Sequence, residues 1–170
     1  MTKAYVLLKC QSGSEDYIIS NLRSLDSVTS AKGVLGAYDV LATLDTVSEE
    51  KMRDVVTKQI RKMPKIIGTY TLIADDKNSF SKTIDGKEIL DMYLSQAHIL
   101  LDCEPNCEAD VINNLRAIPE VTNADVLISS HQVMCNVMAP TYNDISDVVT
   151  KKIRRMANIR GTTTLNMIGK

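Results

Sequence analysis

The side chains best suited to chemistry gather in the second half of the sequence, where His98, Cys103, Cys107, His131 and Cys135 fall within about forty residues. Cys103-x-x-x-Cys107 and His131-x-x-x-Cys135 together offer the thiolate and imidazole donors that a tetrahedral zinc ion takes. Their spacing is not one of the common structural-zinc patterns. Cys103 and Cys135 also fall on strand-like runs, so these thiols, with Cys10, read as buried and reduced, and no metal ligand is assigned. No Ser/His/Asp or Cys/His set with mutual support is visible, and with seven Gly there is no phosphate-cradling loop. No catalytic residue and no cofactor are expected. A small enzyme using His98 or His131 as a base is the more distant alternative.

Basic residues cluster near the end of two helical segments: Lys58, Arg61 and Lys62, then Lys151, Lys152, Arg154 and Arg155. Cations there complement the helix dipole on a solvated face, which accounts for them without nucleic acid. An aromatic content of 4%, no Trp, one Phe and a net charge of -1 in 170 residues argue the same way, against base stacking and against phosphate attraction. Apolar runs are of strand length, so no membrane span is expected. Met1-Thr2-Lys3 leads straight into a strand-like run without a secretion signal, and a reducing cytoplasm is the expected location.

The elements that would position these residues emerge on comparing the chain with itself. A shift of about 93 residues aligns Ala4–Leu72 with Ala97–Leu165, without a gap and at roughly a third identity. Asn21-Leu22-Arg23 meets Asn114-Leu115-Arg116, and Gly68-Thr69-Tyr70-Thr71-Leu72 meets Gly161-Thr162-Thr163-Thr164-Leu165. Within each copy the periodicity alternates. Ala4–Lys9 is strand-like with both faces apolar, as in a strand covered on both sides. Ile18, Leu22 and Leu25, matched by Val111, Leu115 and Ile118, mark a first helix, with Ser12 and Glu15 as its capping box. Val28–Leu35 and Val40–Leu44 read as strands joined at Gly36-Ala37-Tyr38-Asp39. Met52, Val55, Val56, Ile60 and Met63 form the stripe of a second helix, mirrored by Ile145, Val148, Val149, Ile153 and Met156, with Thr141–Asp144 as a cap. Final strands run from about Ile66 to Ile73 and from Ile159 to Ile168.

The order is β-α-β-β-α-β in each copy, the split arrangement with both helices on one face of a four-stranded antiparallel sheet. The expected class is α+β: two ferredoxin-like βαββαβ repeats of dimeric α/β-barrel type, their sheets packed face to face as a pseudo-dimer. Residues 1–74 form the first domain, 75–96 a linker with a short helix over Lys87–Leu94, and 97–170 the second, diverged domain. Pairing of the repeats within one chain or by exchange between chains stays open, because the extended linker reaches about 65 to 70 Å.

The Gly36-Ala37-Tyr38-Asp39 hairpin, the Ile60-Arg61-Lys62-Met63-Pro64 helix end and the Gly68-Thr69-Tyr70-Thr71-Leu72-Ile73 strand resemble the effector-binding (RAM) domain of the Lrp/AsnC family. In the second copy Ser129, His131 and Gln132 replace Gly36, Tyr38 and Asp39, and Ala157 replaces Pro64. The first strand starts near Ala4, so the resemblance is to the stand-alone type without a helix-turn-helix. It implies domains that pair and assemble into larger oligomers, and an amino acid bound near the hairpin and last strand. Such a ligand needs donors for its carboxylate and an acceptor for its ammonium. The first copy offers Gly36, Tyr38, Asp39, Thr69 and Thr71, with Asp39 for the ammonium. The same residues also suit a plain turn and strand. The second copy keeps Thr162 and Thr164 without the Asp, so one competent site and one structural partner are expected.

The expected function is a non-catalytic amino-acid-sensing and oligomerisation module of transcription-regulator type, without direct nucleic-acid or membrane contact, acting through a full-length Lrp/AsnC-type regulator as partner. The alternative is a structural assembly protein that has lost its ligand.

Overall fold

The computed structural model describes residues 1–83, 94–128, 130 and 132–168. The helix expected over Lys87–Leu94 falls, but for Leu94, outside the described residues, as do Ser129 and His131. The chain divides into two compact units, Met1–Ala74 with Ile168–Lys170, and Asp75–Met167.

The first unit contains β1 (Thr2–Cys10), α1 (Glu15–Arg23), β2 (Val28–Leu35), β3 (Val40–Thr46), α2 (Glu49–Val55) and the start of β4 (Ile66–Ser81). Its sheet is ordered β4-β1-β3-β2 with antiparallel pairing of β1 with β4 and β3, and of β3 with β2. Alternation along β1 decides the layers. Ala4, Val6, Leu8 and Cys10 point to the helices and join Ile18, Leu22, Met52, Val55, Val56 and Ile60 in one apolar cluster. Tyr5 and Leu7 point the other way and are buried as well, as expected of a strand covered on both faces.

The second unit repeats the order with β5 (Ser95–Cys103), α3 (Glu108–Arg116), β6 (Val121–Leu127), β7 (Gln132–Ala139), α4 (Tyr142–Val148) and β8 (Ile159–Ile168). Its sheet runs β8-β5-β7-β6, with the far part of β4 beside β6, where Lys82 N–H donates to Thr122 O at 2.8 Å. Ala97, Ile99, Leu101 and Cys103 form the helix-facing side here. The α+β class and the two βαββαβ repeats are as the sequence implies.

Local details depart from expectation. β4 continues to Ser81 rather than stopping near Ile73. The N-cap of α1 is Ser14, not Ser12; its hydroxyl donates to Gln11 O instead of accepting from the helix, so the capping box expected at Ser12 and Glu15 is not formed. A complete capping box is present at Thr141 and Asp144 of α4. The second-helix stripe is not one regular α-helix. After α2 the chain makes a π-helical turn over Val56–Ile60, and after α4 another over Val149–Ile153, with Arg61 N–H reaching Val56 O at 2.9 Å and Arg154 N–H reaching Val149 O at 2.8 Å. The wider turn shifts the residues after it around the helix, and such turns concentrate at functional positions. Left-handed backbone recurs at equivalent positions: Gly13 (φ 84) and Asn106 (φ 66), then Lys65 (φ 74) and Asn158 (φ 73). The second pair turns the chain so that Lys65 O and Asn158 O each accept from a backbone N–H, of Gln11 and Glu104 respectively, at 2.9 Å.

Candidate functional site

The β2–β3 hairpin is closed by a bond from Val34 N–H to Asp39 O at 3.0 Å, and Gly36 within it takes φ 140, a backbone that favours glycine. Gly36 is exposed, and Tyr38 and Asp39 are half-buried. Asp39 is tied to both neighbours of Lys9: its N–H donates to Leu8 O at 2.9 Å, and its Oδ2 accepts from Cys10 N–H at 3.0 Å. On the far side of β1, Lys9 stands in register with Gly68 of β4. Asp39, Lys9 and Gly68 thus form a row across three strands, on the face turned away from the helices. A Cβ added to Gly68 would meet nothing within 4 Å. Lys9 is exposed and forms no ion pair among the described residues.

Thr69 and Thr71 lie on the opposite face, in register with Leu8 and Val6. Arg61, delivered by the π-helical turn, donates from Nε to Thr69 Oγ1 at 3.0 Å. Thr71 Oγ1 is buried without a hydrogen-bond partner among the described residues. Arg61, Ile66, Ile67, Gly68 and Thr69 line a shallow cavity of about 330 Å³. The structure therefore gathers Gly36, Tyr38 and Asp39 at one strand end and sets Thr69 and Thr71 apart, with β1 between the two groups. Val40 and Thr69 flank Leu8, about 9 to 10 Å from each other at two strand spacings.

Sequence reasoning passed over Lys9 and gave Arg61 only a helix-end role. The repeat carries the missing signal for Arg61, because its spacing to Thr69 recurs as Arg154 to Thr162, where Nε donates to Oγ1 at 2.8 Å. For Lys9 the signal is a change of charge at an aligned position, since the second copy has Asp102 there.

In the second unit the corresponding row is Gln132, Asp102 and Gly161. Gln132 Nε2 donates to Asp102 Oδ1 at 2.8 Å. Nearby, Arg160 pairs with Glu104 at 2.9 Å, which holds the Glu104 carboxyl below its ordinary range. The aligned residues of the first copy are Ile67 and Gln11. Cys10, Cys103 and Cys135 are buried free thiols and Cys107 is half-buried. Burial, chiefly, pushes the Cys103 thiol up to about 12 and raises Cys10 and Cys135. Among the described residues no group of three His, Cys, Asp or Glu could hold a metal ion.

Of the basic residues, Lys58 pairs with Asp54 at 3.5 Å, Lys151 with Asp147 at 3.4 Å and Lys152 with Glu120 at 2.7 Å. No helix among the described residues is long and apolar enough to cross a membrane.

The family model of the Lrp/AsnC ligand binding domain matches residues 3–77 and again 96–168. The chain belongs to this family. Each Lrp/AsnC match covers one βαββαβ repeat, so the duplication is one of whole ligand-binding domains. Similar solved structures include a hypothetical protein from Pyrococcus horikoshii, 32% identical, covering 44% of this chain and 90% of that one with a TM-score of 0.43. E. coli AsnC is 25% identical over 49% of this chain and 56% of its own, with a TM-score of 0.45. The siroheme decarboxylase NirDL covers 98% of this Lrp/AsnC chain and 71% of its own at a TM-score of 0.71, and at 8% identity the likeness is one of fold alone. No curated protein matches the chain.

Proposed function

We propose that the chain is a non-catalytic sensing module that binds a free amino acid through its first repeat and signals through assembly, without gripping DNA itself. In this reading residues 1–74 and 97–170 are the two ligand-binding-type domains and 75–96 joins them. The module forms homo-oligomers in a cytoplasmic setting and acts on transcription through a full-length Lrp/AsnC-type regulator. The observation that carries the reading is the Asp39 carboxylate, held against Cys10 N–H at 3.0 Å at the strand end where Lys9 and the open Gly68 complete the row, in a chain whose two repeats both match a ligand-binding domain. A carboxylate fixed by a backbone N–H keeps lone pairs for a ligand ammonium. Gly36 and Tyr38 border the same end, whereas Thr69 and Thr71 face the helices and take no part in it.

A thermal-shift screen with the common amino acids tests it. Ligand at 100 times its dissociation constant adds about 2.7 kcal/mol of stability. Asp39→Ala removes that gain, whereas Gln132→Ala leaves it intact. Absence of a shift with every amino acid, together with an oligomeric state indifferent to them, refutes the sensing function.

A further inference from the structure

Building on the sensing function proposed above, we infer that Lys9 recognises the ligand carboxylate, and that the charge at this position in the row decides which repeat accepts a zwitterion. The two repeats present the same three positions on the same face with different chemistry. In the first, an anion (Asp39), a cation (Lys9) and a bare glycine (Gly68) stand side by side at successive strands, about 4.8 Å apart. Neighbouring opposite charges would ordinarily neutralise each other. Here the Asp39 carboxylate is held by Cys10 N–H, and no ion pair involves Lys9 among the described residues. An anion held by a backbone N–H and a cation at the neighbouring position match the two charged groups that an α-amino acid carries on one carbon. The open space over Gly68 and the 69% exposed Ile67 next to it offer its side chain an apolar surface.

The second repeat has satisfied the same positions internally. Asp102 replaces the cation and its Oδ1 accepts from Gln132, which replaces the anion. Arg160, at the position of Ile67, is paired with Glu104. No cation remains in that row to meet a carboxylate, and Asp102 repels one. The first repeat therefore takes free amino acids with an apolar side chain, and the second takes none.

The probes are the common L-amino acids, each set against its methyl ester, in which the carboxylate is masked and the ammonium kept. Isothermal titration of the full chain is expected to show one equivalent of free acid bound and at least tenfold weaker binding of the ester. Lys9→Gln, at an exposed position, is expected to weaken the free acid at least tenfold and leave the ester unchanged, so that discrimination disappears. Asp102→Lys combined with Gln132→Asp is expected to raise the stoichiometry to two. Retained discrimination in Lys9→Gln, or a stoichiometry of one in a double variant with an unchanged melting temperature, overturns the role of Lys9 while the sensing function stands. Failure of every amino acid to bind the unaltered chain rejects both.

Discussion

Removing the Asp39 carboxylate should destabilise the first unit whether or not any ligand binds, and the size of the loss follows from its one backbone partner. Oδ2 accepts from Cys10 N–H at 3.0 Å in a partly buried setting. A hydrogen bond to a charged group contributes about 1.5–3 kcal/mol, and partial exposure places this one near the lower end. Asp39→Ala leaves the Cys10 N–H without that acceptor and should cost about 1.5 kcal/mol. At about 2–4 °C per kcal/mol for a chain of this size, the melting temperature should fall by roughly 3–6 °C. Asp39→Asn retains an amide oxygen that can accept from the same N–H, so it should lose less than about half as much. Gln132→Ala removes the donor to the exposed Asp102 and should cost about 0.5 kcal/mol for that bond. Urea unfolding of the three variants without ligand measures all of this. An Asp39→Ala variant within about 0.5 kcal/mol of the parent, or an Asn variant as damaged as the Ala variant, refutes the assignment of Asp39 as the clasp between the hairpin and β1.

Lys65 holds φ 74 where the second repeat has Asn158 at φ 73, and Asn tolerates that backbone better. Its Nζ lies 4.9 Å from the Tyr17 ring centroid, a contact of about 0.5–1 kcal/mol. Lys65→Asn should therefore stabilise by up to about 1 kcal/mol, read by urea unfolding, and a net loss would show that the ring contact outweighs the backbone strain. Iodoacetamide at pH 8 should modify Cys107 first in the folded chain and leave Cys10, Cys103 and Cys135 unmodified, as mass mapping would show. Because burial raises Cys103 to about 12, its share of stability should be lost as pH rises from about 8.5, where an unfolded thiol ionises, toward that value; Cys103→Ala should flatten that part of the stability curve. The bond from Lys152 holds the Glu120 carboxyl below its ordinary value. Its stabilisation should be full above about pH 5 and fade as pH falls through the lowered value, so the stability gap between the parent and Glu120→Gln should close in acid.

Legibility in the sequence tracked the range of the forces involved. Burial patterns on β1, α1 and β3 are set by alternation and by residues three and four apart, so the sequence alone places Val6, Leu8, Ile18 and Leu22 in the core. Turn chemistry was equally local, and Gly36 and Asp39 fell in the hairpin where their types suggest. The π-helical turns were not legible, because Val56–Ile60 has the composition of an ordinary helix and widens only as it packs. The cap of α1 is not legible for a similar reason: Ser12, Gly13 and Ser14 all suit a helix start by type, and the φ of 84 at Gly13 is what sets Ser14 there. The exchange of Lys9 and Asp39 for Asp102 and Gln132 was visible residue by residue. Its meaning needed the sheet register, which puts the two positions side by side.

That register bears on how the two repeats have diverged. Divergence left the shared frame alone: the Arg61–Thr69 and Arg154–Thr162 bonds, the π-helical turns and the left-handed residues recur in both copies. The two copies differ along their whole length, and the differences at one strand end change its charge. There the second copy pairs Asp102 with Gln132 and Arg160 with Glu104, whereas in the first Lys9 forms no ion pair among the described residues and Ile67 is exposed. Under the proposed sensing function, the first repeat keeps the end that meets the ligand, and the second closes the same end on itself.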